Sequence, residues 1–250
     1  MGDDTQGLAC FLYSAILSRG PSNVHKDMES FDANVKLMGQ HNYCSQEMVN
    51  LLLVGKAVPH VFDGTKELDG LTLNGISCST EIGFFSLFEH YRSIEVGSLL
   101  KNPKYPVWVV CSESHFSVFF SANLDALEVI VYDTITASLL SIWQNSEGSK
   151  EIDLYYYDEL AKQDETIRLS VSWKNSNSHC GKGPMDPSID LTPPLEHCIR
   201  TKWPQAVVDW NGSDPVRGHL DLRKMLIFIS DSLISKASAH VIRHRTLLGS

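Results

Sequence analysis

"WVVCSESHFSVFF", residues 108 to 120, places one histidine in the middle of a run of β-branched and aromatic residues. Such residues fit the pleated, half-buried surface of a sheet, so the stretch reads as a strand. An imidazole in that company needs a partner for each ring nitrogen. Alternation puts His115, Ser117 and Phe119 on one face, and Phe116, Val118 and Phe120 on the other. The second set is wholly apolar and is expected to pack on the core. His115 and Ser117 are then expected to look toward a more polar side.

The next strand-like run, "LEVIVYD", follows a hairpin-length linker, "SANLDA". Pairing of residues 115–120 with 127–133 sets His115 opposite Tyr132 or Asp133, according to register. Asp133 is therefore a candidate orienting acid. A carboxylate there accepts the proton of one ring nitrogen and leaves the other as a base. The competing reading of "YDTIT" is an acid at a strand end or turn.

A histidine base needs a nucleophile, and the six cysteines supply no convincing one. In a continuous strand Cys111 lies about 13 Å from His115, beyond hydrogen-bond reach. Cys44 and Cys78 precede predicted helices, whose N-termini favour thiolates. Glu47 and Glu81 in those first turns oppose the effect. Cys180 sits in a Gly/Pro-rich loop, Cys10 in an apolar helix, and Cys198 in "EHCIRTKW" has no evident base. Ser112, Ser114 and Ser117 surround His115, but there is no G-x-S-x-G elbow. The His-Cys pairs at 179–180 and 197–198 match no common zinc spacing, so neither a metal nor a cofactor is expected.

The flanks set the fold class. A helix is expected over residues 7–19, ending near Gly20 with Pro21 as the stop, and "LACFLYSAIL" reads as a core helix. Ser45 caps "QEMVNLLLVG" with Gly55 as its end. "VPHVFDGTKELDGLTLNG" reads as loop with short extended pieces. Thr80 is expected to cap a helix "EIGFFSLFEHYR". Strands follow at "YPVWVVCS", "HFSVFF", "EIDLYYYD", "IRLSVSW" and "AVVDW". Residues 174–194 read as a loop, Asn211-Gly212-Ser213 as a turn, and "HLDLRKMLIFISDSLISKAS" as an amphipathic helix. Trp203 and Trp210 read as aromatics that pack the last loop onto the core, and Tyr155, Tyr156 and Tyr157 as a half-buried strand. Helices, then an antiparallel sheet, then a helix give an α+β order in a single domain, 1–250.

The chain of 250 residues is 43% hydrophobic and 20% charged, with a net charge of -9. Nucleic-acid binding needs a basic stripe, and the longest basic run is "RHR" at 243–245. No segment has the length of apolar residues that spans a membrane. Dispersed cysteines in apolar runs point to a reducing compartment, and the expected location is cytoplasmic or nuclear.

The strings "GLACFLYSAILSRG", "CSQEMVNLLLVGKAVPHVFDG", "IGFFSLFEHYRSIEVGSLLKNPKYPVWVVCSESHFSVFFS" and "LTPPLEHCIRTKWPQAVVDWNGSDP" resemble the MINDY family of cysteine deubiquitinases. They look closest to its branch with an extended catalytic domain, and there to members described as inactive. The resemblance runs from about Gly7 to Pro215; residues 216–250 form a divergent C-terminal stretch. It implies a papain-like fold and cleavage of lysine-48-linked ubiquitin by a cysteine, a histidine and an oxyanion-holding glutamine. The family's histidine in "SESHFSV" matches His115. Its nucleophile lies in a Gly-Gly-Pro-Cys-Gly-like segment opening a helix, and no such string occurs in these 250 residues. The resemblance thus implies a domain whose N-terminal nucleophile helix is missing, with ubiquitin or lysine-48-linked polyubiquitin as partner. A sheet without that helix is expected to expose an apolar face. A fragment, an incomplete gene prediction and a true pseudoenzyme are three readings that stay open.

Overall fold

The computed structural model describes residues 4–28, 35–39, 43–112, 115–127, 151–159, 163, 165–172 and 192–213. All of these belong to one compact unit that ends at Pro215. The expected pairing partner 128–133, the loop up to residue 191 and the helix beyond 216 lie outside the described residues.

Three helices come first: α1 (Asp4–Arg19), α2 (Pro21–Asp27) and α3 (Gln46–Val54). Gly20, at φ 86°, makes the break, and Pro21 then starts α2 rather than only stopping α1. A proline at the first helical position loses no hydrogen bond, because its N–H would be unpaired there anyway. Ser45 caps α3 by accepting the Met48 N–H, and Gly55 ends it in the left-handed conformation. Both caps agree with the sequence reading.

The expectation of a core helix at residues 8–17 needs correction. Leu12, Ala15 and Ile16 pack on a small core with Val24, Met28, Met48, Leu51 and Ala57. Leu8, Phe11, Tyr13 and Leu17 are exposed. The helix is apolar on every side and only one side is covered.

A hairpin follows, β1 (Thr65–Leu68) and β2 (Leu71–Asn74), antiparallel. Asp69 and Gly70 at its tip both have positive φ, 50° and 80°, as a tight two-residue turn with matching twist requires.

The main sheet has six strands in the order of the chain: β3 (Gly83–Ser86), β4 (Val107–Ser112), β5 (His115–Phe120), β6 (Glu151–Tyr157), β7 (Ile167–Ser172) and β8 (Val207–Asp209). Short helices α4 (Leu87–His90) and α5 (Ser98–Lys101) link β3 to β4. A longer helix, α6 (Pro194–Lys202), precedes β8. All neighbours are antiparallel except β3 and β4. The α+β class stands, with one parallel pair added to the expected antiparallel sheet.

The helix predicted over "EIGFFSLFEHYR" is a correction too. Gly83–Ser86 is a strand, and Ser86 rather than Thr80 caps the short helix after it. The Thr80 hydroxyl instead donates to the Leu99 carbonyl. Tertiary packing overrides the helical pattern. Gly83 lies so close to Trp108 that a Cβ would meet its ring at 2.3 Å. The four residues 83–86 are buried on both sides.

Register divides the side chains between two faces. One carries Phe85, Trp108, Val110, Ser117, Phe119, Leu154, Tyr156 and Leu169. Trp203, at the end of α6, packs edge-on against both Phe85 and Trp108. Trp203 and Trp210 are 2% and 7% exposed, so both serve the core as expected. The opposite face carries Phe84, Val109 and Cys111, which pack with Val49, Val58, Val61, Ile76, Val96 and Leu100.

Candidate functional site

Residues 108–120 form two strands, not one. β4 and β5 pair antiparallel, with Trp108 opposite Phe119, Val110 opposite Ser117 and Ser112 opposite His115. The chain reverses between Ser112 and His115. The expected hairpin of β5 with 127–133 is corrected: the edges of β5 are taken by β4 and β6, and Leu124–Leu127 is a 3₁₀ turn.

The reversal changes the geometry of Cys111. It is no longer four residues up the same strand but across the hairpin, paired with Phe116. Paired residues share a face, so Cys111 points away from the face of His115. The two remain unsuited to direct proton transfer, now because of facing rather than of distance along a strand.

The predicted division of faces is reversed. Ser117 and Phe119 are buried with Trp108 and Val110. Phe116 is 37% exposed, and Val118 and Phe120 are half-buried. Tyr155 stacks on Phe120, and Tyr157 is exposed on this same outer face. Phe119 prevails because it enters the aromatic core: it faces Trp108 across β4 and packs on Tyr156 across β6. The face opposite His115 is exposed at Phe116 and Tyr157 and half-buried between them.

His115 therefore stands at the end of the buried face, where the core meets solvent; its side chain is 34% exposed. Its partner is Asp158, just beyond the end of β6. Nε2 of His115 lies 2.7 Å from Asp158 Oδ2. The carboxylate is only 4% exposed. A carboxylate has no proton to give, so it holds the proton on Nε2 and leaves Nδ1 as the basic nitrogen.

Asp158 is itself fixed. The Tyr156 hydroxyl donates to Oδ2 at 3.2 Å, and the Asp158 backbone N–H donates to Gln163 Oε1 at 2.9 Å. Burial, and to a smaller degree the nearby Asp158, push the Tyr156 phenol up to about 12. Ser117 acts in the other direction on that phenol, although its Oγ is buried without a well-aligned hydrogen bond. His115 and Ser117 of β5, Tyr156 of β6 and Asp158 directly after β6 thus meet on one face.

Asp133, the predicted orienting acid, lies outside the described residues, and the carboxylate that meets His115 is that of Asp158. The signal for Asp158 was present in "EIDLYYYD". Ile152, Leu154 and Tyr156 alternate as buried residues, and Asp158 continues the same phase. A carboxylate in phase with a buried face calls for a partner.

The thiols are placed differently. Cys111 and Cys198 are buried, Cys44 is partly buried, and Cys10 and Cys78 are exposed. Burial pushes Cys111 up to about 12 and drives Cys198 higher still. Burial also raises Cys44, whose Sγ sits 4.0 Å from Met38 Sδ. Cys44 does precede a helix, but Cys78 precedes none, because β3 replaces it. Cys180 is outside the described residues. Among the described residues no group of three or more His, Cys, Asp or Glu side chains is arranged to hold a metal ion. No described helix is long and apolar enough to cross a membrane.

The profile described as "Deubiquitinating enzyme MINDY-3/4, conserved domain" matches residues 1–212. The chain is 45% identical over 215 residues to the human "Probable ubiquitin carboxyl-terminal hydrolase MINDY-4", covering 84% of this chain and 25% of that protein. The Xenopus tropicalis protein of the same name is 44% identical over 216 residues, covering 84% and 26%. The Xenopus tropicalis "Ubiquitin carboxyl-terminal hydrolase MINDY-3" is 43% identical over 119 residues, 47% of this chain and 26% of that protein. The chain thus spans about a quarter of the length of these relatives. No solved structure gives a significant match. With most of its length matched by the family profile, the chain belongs to the MINDY-3/4 family of deubiquitinating enzymes.

Proposed function

We propose that this chain carries the histidine half of a ubiquitin isopeptidase site, with lysine-48-linked polyubiquitin as its substrate class. The observation that carries the reading is the His115–Asp158 pair at the solvent edge of an otherwise apolar sheet face. In the reaction, Nδ1 of His115 takes the proton of a cysteine thiol and the thiolate attacks the carbonyl of ubiquitin's last residue. The imidazolium then gives its proton to the departing lysine amine, and the neutral ring activates the water that frees the enzyme. Asp158 keeps the ring in one tautomer and stabilises the imidazolium. In a longer chain that supplies the family's Gly-Gly-Pro-Cys-Gly-like segment, His115→Ala should lower isopeptide cleavage by roughly 10⁴-fold.

A second reading has its own support. Three of the five described thiols have raised pKa values from burial, and the nearest in sequence to His115 faces away from it. The 250 residues on their own then act as a non-catalytic ubiquitin-binding module. Incubation with lysine-48-linked diubiquitin separates the two. Binding without cleavage supports the non-catalytic reading for this chain. Cleavage at an enzymatic rate that His115→Ala abolishes would overturn it and support the isopeptidase directly. Neither binding nor cleavage would sink both.

A further inference from the structure

The His115–Asp158 pair is supported from below by a buried phenol, and what that hydroxyl is for has a specific answer. Tyr156 is 1% exposed, with its ring packed on Phe119 at 5.5 Å between centroids. A phenylalanine would fill the same space. Placing a hydroxyl there costs desolvation unless the proton has a fixed acceptor. The acceptor is Asp158 Oδ2, the same oxygen that faces His115 Nε2.

We propose that Tyr156 is the positioning residue of the site: its phenol donates to Asp158 Oδ2 and sets the carboxylate's rotation, which selects Nδ1 of His115 as the basic nitrogen. The claim rests on the reading of His115 as the base. Three features carry it. The first is geometric: Tyr156 is in β6 and Asp158 follows directly after its last residue, in the same alternating phase, and the two side chains meet at 3.2 Å. His115 and Ser117 share one face of the neighbouring strand, where Val118 is paired with Tyr157. Strand register therefore sets three of the four groups, and Asp158 directly follows the last residue of β6. The second is stiffness. A packed tyrosine has two side-chain torsions, both limited by its neighbours, whereas an aspartate beyond a strand end can turn. Gln163 holds the Asp158 backbone through its N–H, and Tyr156 holds its side chain. The third is protonation. Burial keeps the Tyr156 proton on through the pH range in which a histidine base works, so the phenol acts there as a donor.

Tyr156 touches neither substrate nor nucleophile in this account, so its effect must be read on His115. The experiment is side-chain ¹⁵N NMR of His115 in the 250-residue chain, in wild type, Tyr156→Phe and Phe119→Leu. Wild type should show one tautomer, protonated on Nε2, with slow exchange of that proton. Tyr156→Phe keeps the ring and should keep the fold. Its His115 should show mixed tautomers and Nε2–H exchange faster by about 10- to 100-fold, the equivalent of one lost hydrogen bond to a charged group. Phe119→Leu disturbs the packing but not the phenol and should leave the tautomer as in wild type. A His115 spectrum unchanged in Tyr156→Phe would overturn the proposal. So would equal changes in both variants, which would reduce Tyr156 to a packing residue. The outcome is independent of turnover. A single tautomer that Tyr156→Phe mixes, in a protein whose longer form never cleaves ubiquitin, would leave the positioning role intact and remove the isopeptidase reading instead.

Discussion

The histidine and the cysteines of this chain occupy opposite kinds of place. His115 sits at the rim of one sheet face, a third exposed, with a buried carboxylate on one nitrogen. Cys111, its near neighbour in sequence, points through the sheet into the core formed with Val49, Val58 and Phe84. Cys198 is fully buried in α6. The rim is built from side chains that hold and orient protons. The interior is built from side chains that exclude water, and there a thiol behaves as a small hydrophobe. Residue type alone does not make a site; the register of β4 and β5 turns His115 and Cys111 to opposite faces.

The largest effect that tests this contrast is thiol reactivity. Raising a thiol from 9.0 to about 12 lowers its thiolate fraction about a thousandfold at neutral pH. Cys111 should therefore react with iodoacetamide at least about a thousandfold more slowly than an exposed thiol with the ordinary value. Mass spectrometry of tryptic peptides should find Cys10 and Cys78 labelled first, with Cys111 labelling rising as pH climbs toward 12. Rapid labelling of Cys111 in folded protein would break the comparison.

Stability comes next. Asp158→Ala removes the acceptor of both the His115 and Tyr156 donors, and should cost about 1.5–3 kcal/mol by urea unfolding. Cys111→Ser puts a hydroxyl into an apolar cluster and should cost about 1–3 kcal/mol. If the serine variant is as stable as wild type, Cys111 is not the core residue that its position indicates.

A pH-dependent effect concerns Lys202, which ties α6 to the residues around α5. Its ammonium donates to the Lys101 carbonyl and Asn102 Oδ1, and lies 5.3 Å and 5.2 Å from the rings of Trp108 and Trp203. Burial, and then Lys101, lower it from 10.5 to about 8. The unfolded chain thus binds more protons between pH 8 and 10.5, and this group makes stability rise with pH across that window. Lys202→Met should flatten that rise in urea titrations at stepped pH.

Much of this arrangement was legible in the sequence. Ser45 and Gly55 mark α3 because a side-chain acceptor and a left-handed residue are what helix ends need. The strands at 107–112, 115–120, 151–157, 167–172 and 207–209 were visible in β-branched and aromatic runs. Three things were hidden. "SES" carries no Gly, Asn-Gly or Pro, so the reversal between β4 and β5 left no turn signature. "GFFSLF" satisfies both helical and strand patterns, and only contact with Trp108 and Leu100 decides for strand. The partner of His115 is 43 residues downstream, a separation no local pattern specifies. Helix α6 was also missed, although Pro193 and Pro194 open it as N-terminal prolines do.

Among the described residues, the proposed base His115 has an orienting acid and no thiol placed to use it. Ubiquitin with a C-terminal propargylamide captures a cysteine that is held at an active histidine. Exposed to the 250-residue chain, it should form no covalent adduct beyond that seen with His115→Ala. A stoichiometric adduct that His115→Ala abolishes would show a thiol placed at His115, and the labelled peptide would name it.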